Sequence, residues 1–195
     1  MNSPKLPFFI RFDIEDFFAR INRGRVTRCL KQFFAFPYAN QVAEDSTVRH
    51  PTDKDRQVIP YGFVQSPILA SLALAKSRLG TVLNVLNKSN DMNVSVYVDD
   101  IIVSGNDAAG LEVARDVLVA AATRSGLAFN AAKTQGPSTL ITAFNVELTH
   151  KSLAVIEERM QEFAGDMATA SEESRQGILS YVQSVNSDQA LELAI

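Results

Sequence analysis

Apolar and polar positions near the start of the chain alternate with period two. Phe8, Ile10 and Phe12 fall on one face and Phe9, Arg11 and Asp13 on the other, which predicts a strand ending at Asp13. Ile14-Glu15-Asp16-Phe17-Phe18 comes next, and the pattern then predicts a helix from about Arg25 to Phe34, with Gly24 near its start. Pro37 to Arg56 is polar and rich in turn formers, so it reads as a loop or irregular hairpin. Ser66 suits an N-cap and Pro67 a first helical residue. The helix they open carries Ile68, Leu69, Leu72, Ala75 and Leu79 and is expected to run to about Leu86. Val94 to Val98 and Ile101 to Val103 are β-branched flanks around Asp99-Asp100, predicting a tight hairpin without the usual Asn-Gly or Asp-Gly tip. Asp107 or Asn106 caps a long helix, Ala108 to Arg124, with Leu111, Ala114, Leu118 and Ala121 inward and Gly126 as its stop. A short strand from Leu127 to Asn130, a turn through Lys133, and a strand from Leu140 to Leu148 paired with Leu153 to Ile156 come next. The tail from Glu157 to Ile195 is helical in pattern. Alternating strands and helices with several hairpins predict an α+β fold, an antiparallel sheet with helices packed on one face.

Composition narrows the class. A chain of 195 residues, 46% hydrophobic and 21% charged, is long enough for one domain with a real core. Its apolar runs are too short to span a bilayer, and its opening residues lack the run and cleavage site of a signal peptide. The single cysteine, Cys29, excludes an internal disulfide and fits a reducing cytoplasm. No membrane partner is expected. The net charge of −3 argues mildly against a nucleic-acid binder, but its distribution is uneven. Residues 1–60 hold ten Lys/Arg against seven Asp/Glu, and residues 151–195 three against eight. The basic excess at Arg20, Arg23, Arg25, Arg28 and Lys31 reads either as a phosphate-facing stripe or as a solvated helix face.

The chemistry concentrates on carboxylates. Asp99 and Asp100 are adjacent like charges at an apolar tip, and each raises the cost of ionising the other. A divalent cation would remove that penalty, since hard oxygen ligands suit magnesium. An ordinary solvated turn that carries two aspartates is the other reading.

Tyr97-Val98-Asp99-Asp100 resembles the Y-x-D-D box of reverse transcriptases, and further stretches match that family in the same order. Phe12-Asp13-Ile14-Glu15-Asp16-Phe17-Phe18 is similar to the first catalytic motif. The resemblance implies that Asp13, Asp99, Asp100 and the Ile14 carbonyl hold two Mg2+ ions, with Mn2+ as a substitute. It implies that Phe18 is the steric gate favouring deoxynucleotides. Pro60-Tyr-Gly-Phe-Val-Gln-Ser-Pro67 resembles the motif lining the incoming nucleotide, which assigns Tyr61, Gly62 and Gln65 to substrate binding. Tyr61 stands where many members have Gln, and Gly62 is expected to permit close backbone approach. Gln65-Ser66-Pro67 resembles the bacterial retron-like, abortive-infection branch more than retroviral enzymes. Gly126 to Thr134 looks like the next motif, with Lys133 as general acid or triphosphate contact, and Ala143 to Val146 sits where the family has its primer grip.

The same resemblance implies an RNA-directed DNA polymerase palm over residues 1–156 and the start of a truncated thumb over 157–195. Its implied partners are an RNA template, a DNA or RNA primer, deoxynucleoside triphosphates, and a separate fingers subunit or a second copy of the chain. Only twelve residues precede Asp13, with Lys5 and Arg11 the basic ones, so fingers are expected to be largely absent. The alternative is a catalytically incomplete palm serving as an assembly or nucleic-acid-binding module of an antiphage defence system.

Overall fold

The structure, a computed structural model, describes residues 7–194. Lys5 and the rest of the opening stretch lie outside the described residues. In chain order the elements are β1 (Phe8–Asp13), α1 (Phe17–Arg20), α2 (Arg23–Leu30), α3 (Phe36–Asp45), β2 (Val48–Arg49), β3 (Gln57–Val58), α4 (Ser66–Ala75), α5 (Arg78–Asn87) and β4 (Met92–Tyr97). Beyond these lie β5 (Asp100–Gly105), α6 (Ala108–Arg124), β6 (Gln135–Ser138), β7 (Ile141–Ala143), β8 (Val146–Thr149), β9 (Ser152–Val155), α7 (Glu157–Thr169), α8 (Glu172–Val185) and α9 (Ser187–Leu193).

The main sheet has the order β4-β5-β1-β6 and its pairings are antiparallel. Register fixes its two faces. Ile10 lies opposite Val103 and Phe12 opposite Ile101, so these four point together. They are at most 1% exposed and pack with Leu79, Leu111 and Leu118 from α5 and α6. Arg11 opposite Ile102 and Asp13 opposite Asp100 therefore share the other face. The helices cover the apolar face, as the sequence predicts. A three-stranded sheet, β7-β8-β9, and a second small core of Val155, Phe163, Val182 and Ala190 come later in the chain. No single helix among the described residues is long and apolar enough to cross a membrane.

Several local expectations need correction. The supposed loop from Pro37 contains α3, which has proline in its first turn and buries Ala39 and Ala43, one helical turn apart. Only its far end is the expected hairpin, β2 with β3. The helix expected from Ser66 to Leu86 is two helices, bent by 75° between α4 and α5. Ser77 caps α5 by accepting from Gly80 N–H. A Cβ on Gly80 would stand 2.2 Å from the Leu74 carbonyl oxygen, so the two helices meet at a distance only glycine allows. Ser66 does not cap α4, because its hydroxyl donates to the Pro60 carbonyl and Gln65 takes the cap position. The strand expected at Leu140 to Leu148 reverses at Phe144-Asn145, both with φ near +60°, to give β7 and β8. The Leu127 to Asn130 strand reduces to one bridge, Ile14 with Phe129. β6 has no counterpart in the sequence pattern: Gly136 and Pro137 argue against a strand, but proline is tolerated at a sheet edge.

Candidate functional site

The ends of β1 and β5 and the turn before β5 converge on one cavity. The β4-β5 turn is only Val98 and Asp99, because Tyr97 already pairs with Asp100. Val98 sits at φ 56°, a conformation that costs a β-branched residue on the order of 1–2 kcal/mol. Such strain persists where surrounding contacts over-determine the turn. Here Ile14 N–H donates to the Asp99 carbonyl (2.9 Å), tying the turn to the end of β1. Asn130 N–H donates to the Asp13 carbonyl and Glu15 N–H to the Ala128 carbonyl, both at 2.9 Å. The Gly126–Lys133 segment is thereby drawn alongside.

The cavity holds about 690 Å³, and Asp13, Ile14, Phe18, Tyr61, Asp99 and Lys133 are among its lining residues. Asp13 is 5% exposed, and its Oδ2 accepts from Lys133 Nζ at 3.0 Å. That hydrogen bond, with the charge of Asp13 behind it, raises the Lys133 pKa and keeps the ammonium charged at neutral pH. Asp99 makes no ion pair among the described residues. Partial burial pushes its pKa up, and the charges of Asp100 and Asp13 push the same way, against a lowering hydrogen bond from its own N–H. Lys133 offsets part of that rise, but Asp99 has no ion-pair partner of its own among the described residues.

Asp100 is placed differently. It lies across from Asp13 in register but does not line the cavity. Arg11 Nε donates to Asp100 Oδ1 at 2.8 Å, and Nη2 lies 2.7 Å from the same oxygen. The third nitrogen, Nη1, donates to the Thr142 carbonyl of β7 at 2.9 Å. Arg11 thus clamps Asp100 and ties the small sheet to the main one. Tyr97 reinforces that link, its ring 5.4 Å from Phe144 and edge-on to it. In the sequence Arg11 stands out only as a basic residue upstream of Asp13. Its place two residues before Asp13 puts it on the same strand face, but nothing in the sequence names Asp100 as its partner.

The two phenylalanines of the first motif divide their roles. Phe17 is core at 3% exposed, while Phe18 faces the cavity with its ring 5.9 Å from, and edge-on to, that of Tyr61. Gly62 adopts φ +91°, and a Cβ built there meets nothing within 4 Å. Glycine is needed at position 62 for its backbone conformation, and the space beside it is open. Gln65 and Gly62 are not among the lining residues.

Asp13, Asp99 and the Ile14 carbonyl offer hard oxygen donors of the kind Mg2+ takes. Among the described residues no three acidic, histidine or cysteine side chains gather closely enough to hold a metal ion. Asp13 pairs with Lys133 and Asp100 with Arg11. The donor set fits a divalent cation, with Asp99 the group whose charge most needs one.

Comparison with known proteins bears on the family and the fold. Residues 1–183 match the family described as reverse transcriptase (RNA-dependent DNA polymerase). No curated protein sequence matches significantly. Among solved structures, telomerase from Candida albicans in complex with a telomeric RNA fragment is similar at 12% identity, with TM-score 0.58 over 96% of this chain and 40% of that one. Apo telomerase from Candida tropicalis gives 15% identity and TM-score 0.54 over 74% of this chain and 34% of that one. The foamy viral protease-reverse transcriptase with an RNA/DNA hybrid gives 16% identity and TM-score 0.56 over 90% of this chain and 21% of that one. At these identities the likeness is one of fold. The chain spans well under half the length of each structure.

Proposed function

The chain belongs to the reverse transcriptase family, and from that premise we propose that it carries the palm of an RNA-directed DNA polymerase. The observation that carries this reading is the pairing of Asp13 and Asp99 in one cavity with Lys133 and Phe18. Asp13, Asp99, Asp100 and the Ile14 carbonyl would hold two Mg2+ ions, with Mn2+ able to replace them. When bound, those ions would supply an activated primer 3′-hydroxyl and a neutralised triphosphate leaving group. The chain's own residues do the rest. Phe18, braced edge-on by Tyr61, closes the cavity where a ribose 2′-hydroxyl would lie and so selects deoxynucleotides. The Lys133 ammonium is the cavity's cation for a triphosphate, and it must leave Asp13 to meet one. As general acid to the departing pyrophosphate it needs the same release, because the Asp13 contact holds its proton. Tyr61, Gly62 and Gln65 belong to the nucleotide-facing segment. The Arg11 clamp positions Asp100 beside this centre.

The template is RNA, the primer DNA or RNA, and the substrates deoxynucleoside triphosphates. Residues 1–156 form the palm and 157–195 the start of a thumb, and a fingers subunit or a second copy of the chain is the protein partner this reading includes. Gln65-Ser66-Pro67 supports placement in the bacterial retron-like branch and, through it, a cytoplasmic antiphage role. A second reading, a catalytically incomplete palm that assembles with partners or binds nucleic acid, is favoured by the carboxylates' engagement with Lys133 and Arg11. Primer extension separates the two. On a primed RNA template the protein should add deoxynucleotides, and Asp99→Asn should lower incorporation by at least about a hundredfold, the loss of roughly 3 kcal/mol of transition-state stabilisation. Equal incorporation by both proteins would refute the assignment.

A further inference from the structure

A second concavity, of about 400 Å³, lies where α2, the α4–α5 junction and the end of α6 meet, apart from the carboxylate cavity. Arg25, Arg28, Lys76, Arg78 and Arg124 line it, and no acidic residue does. Of the eight arginines outside it, six, namely Arg11, Arg20, Arg23, Arg56, Arg115 and Arg159, each meet a carboxylate, and Arg49 and Arg175 do not. None of the five lining cations meets one among the described residues. Helix ends explain part of the cluster. Lys76 and Arg124 stand at the C-terminal ends of α4 and α6, where the helix dipole favours cations. Arg28 lies in the last turn of α2 and shares that explanation, which leaves Arg25 and Arg78.

Arg25 is the telling residue. Its Nη2 donates to the Ser125 carbonyl, but its Nη1 is buried and has no hydrogen-bond partner. A buried charged donor without an acceptor costs on the order of a few kcal/mol. Burial lowers the Arg25 pKa, and neighbouring Arg28 adds to that lowering, while Cys29 opposes it. Arg28, Lys76, Arg78 and Arg124 are exposed, so the cost rests on Arg25, whose buried Nη1 an anion oxygen would satisfy.

We propose that this concavity is a phosphate-binding site, taking the phosphate groups of a nucleic-acid strand or of a free polyphosphate. Four of the five cations are arginines, whose planar forks match phosphate oxygens. The N-terminal end of α5 opens into the same hollow through Ser77 and Arg78, and adds the positive end of its dipole. An acidic peptide fits less well. Cys29 and Ala73 are the only apolar side chains in the lining, too few to anchor a peptide. The site also adjoins the chemistry already described: Gly126 lines it, and Asn130, four residues on, lines the carboxylate cavity.

The test uses the full chain without divalent cations, so that the Asp13/Asp99 cavity does not contribute. Arg28 and Arg124 make no side-chain hydrogen bond among the described residues, so Arg28→Gln/Arg124→Gln should fold, and Lys76→Gln/Arg78→Gln provides a second pair. Two arms separate the sources. If a strand occupies the site, a labelled single-stranded oligonucleotide should bind about tenfold more weakly to either double variant, with the slope of log K against log salt reduced by about 1.4. If free polyphosphate occupies it, inorganic pyrophosphate should raise the melting temperature of the wild type and not of the variants, with oligonucleotide binding unchanged. Either result supports the site. The proposal is overturned if both variants keep wild-type responses to both probes. It is also overturned if hexaglutamate stabilises the wild type as strongly as pyrophosphate does and loses that effect in the variants.

Discussion

Asp99 is a carboxylate whose charge works against the fold. Partial burial, with Asp100 and Asp13 adding to it, raises its pKa, so the folded chain takes up a proton at Asp99 more readily than the unfolded chain does. The stability tied to that proton is fully present below the ordinary aspartate pKa and is lost as pH rises through the raised value. At neutral pH the ionised group is a net cost. Asp99→Asn should therefore raise the thermal midpoint at pH 7, and the gain should fade as pH drops below the ordinary aspartate range. Melting curves across pH check this, and a variant less stable than wild type at pH 7 would contradict it. The place of Asp99 in a tight turn was legible in the β-branched flanks on either side of it. The Arg11 clamp on Asp100 was not, because alternation puts Arg11 and Asp13 on one face but does not name the residue across the sheet. The left-handed Val98 was hidden for a similar reason: a β-branched residue gives no sign of positive φ, and tertiary contacts impose it.

Elements are legible where one period runs unbroken. β1 and α6 fall where alternation and the Asp107 cap place them, and β5 differs from its prediction only in taking in Asp100 and extending to Gly105. Pattern and structure part where turn-forming residues lie inside regular structure. Pro37 starts a helix in α3, Gly136-Pro137 sit in an edge strand, and Phe144-Asn145 make a turn out of what reads as a continuous strand. The α4–α5 break is a further case, since Leu72, Ala75 and Leu79 keep helical spacing across it. At the break Gly80 lies close against the backbone of Leu74. Gly80→Ala gains roughly 1 kcal/mol of helix propensity. The added methyl meets a backbone oxygen at 2.2 Å, which no side-chain rotation relieves. Overpacking of this kind costs typically 1–3 kcal/mol or more, so the variant should be net destabilised by about 1–2 kcal/mol. Denaturant unfolding measures it, and an unchanged or raised midpoint would mean the helices can part without cost.

Across the whole molecule, charge separates by face rather than by segment. The basic stripe seen in residues 20–31 disperses on folding: Arg20 pairs with Glu15, Arg23 with Glu44, and Lys31 lies over the Phe36 ring. Arg25 and Arg28 instead join Lys76, Arg78 and Arg124, three cations that no local pattern linked to them. The acidic tail folds into α7, α8 and α9 around a small core of its own. The central claim concerns the other side of the sheet, where Asp13 and Asp99 meet Lys133. Titration calorimetry with Mg2+ and then Mn2+ at neutral pH tests it most directly, on the wild type and on Asp13→Asn, Asp99→Asn and Lys133→Gln. The account predicts saturable binding by the wild type, loss of it in both aspartate variants, and tighter binding in Lys133→Gln, where nothing competes for Asp13. Binding that survives both aspartate substitutions, or that is absent from wild type and Lys133→Gln alike, would contradict it.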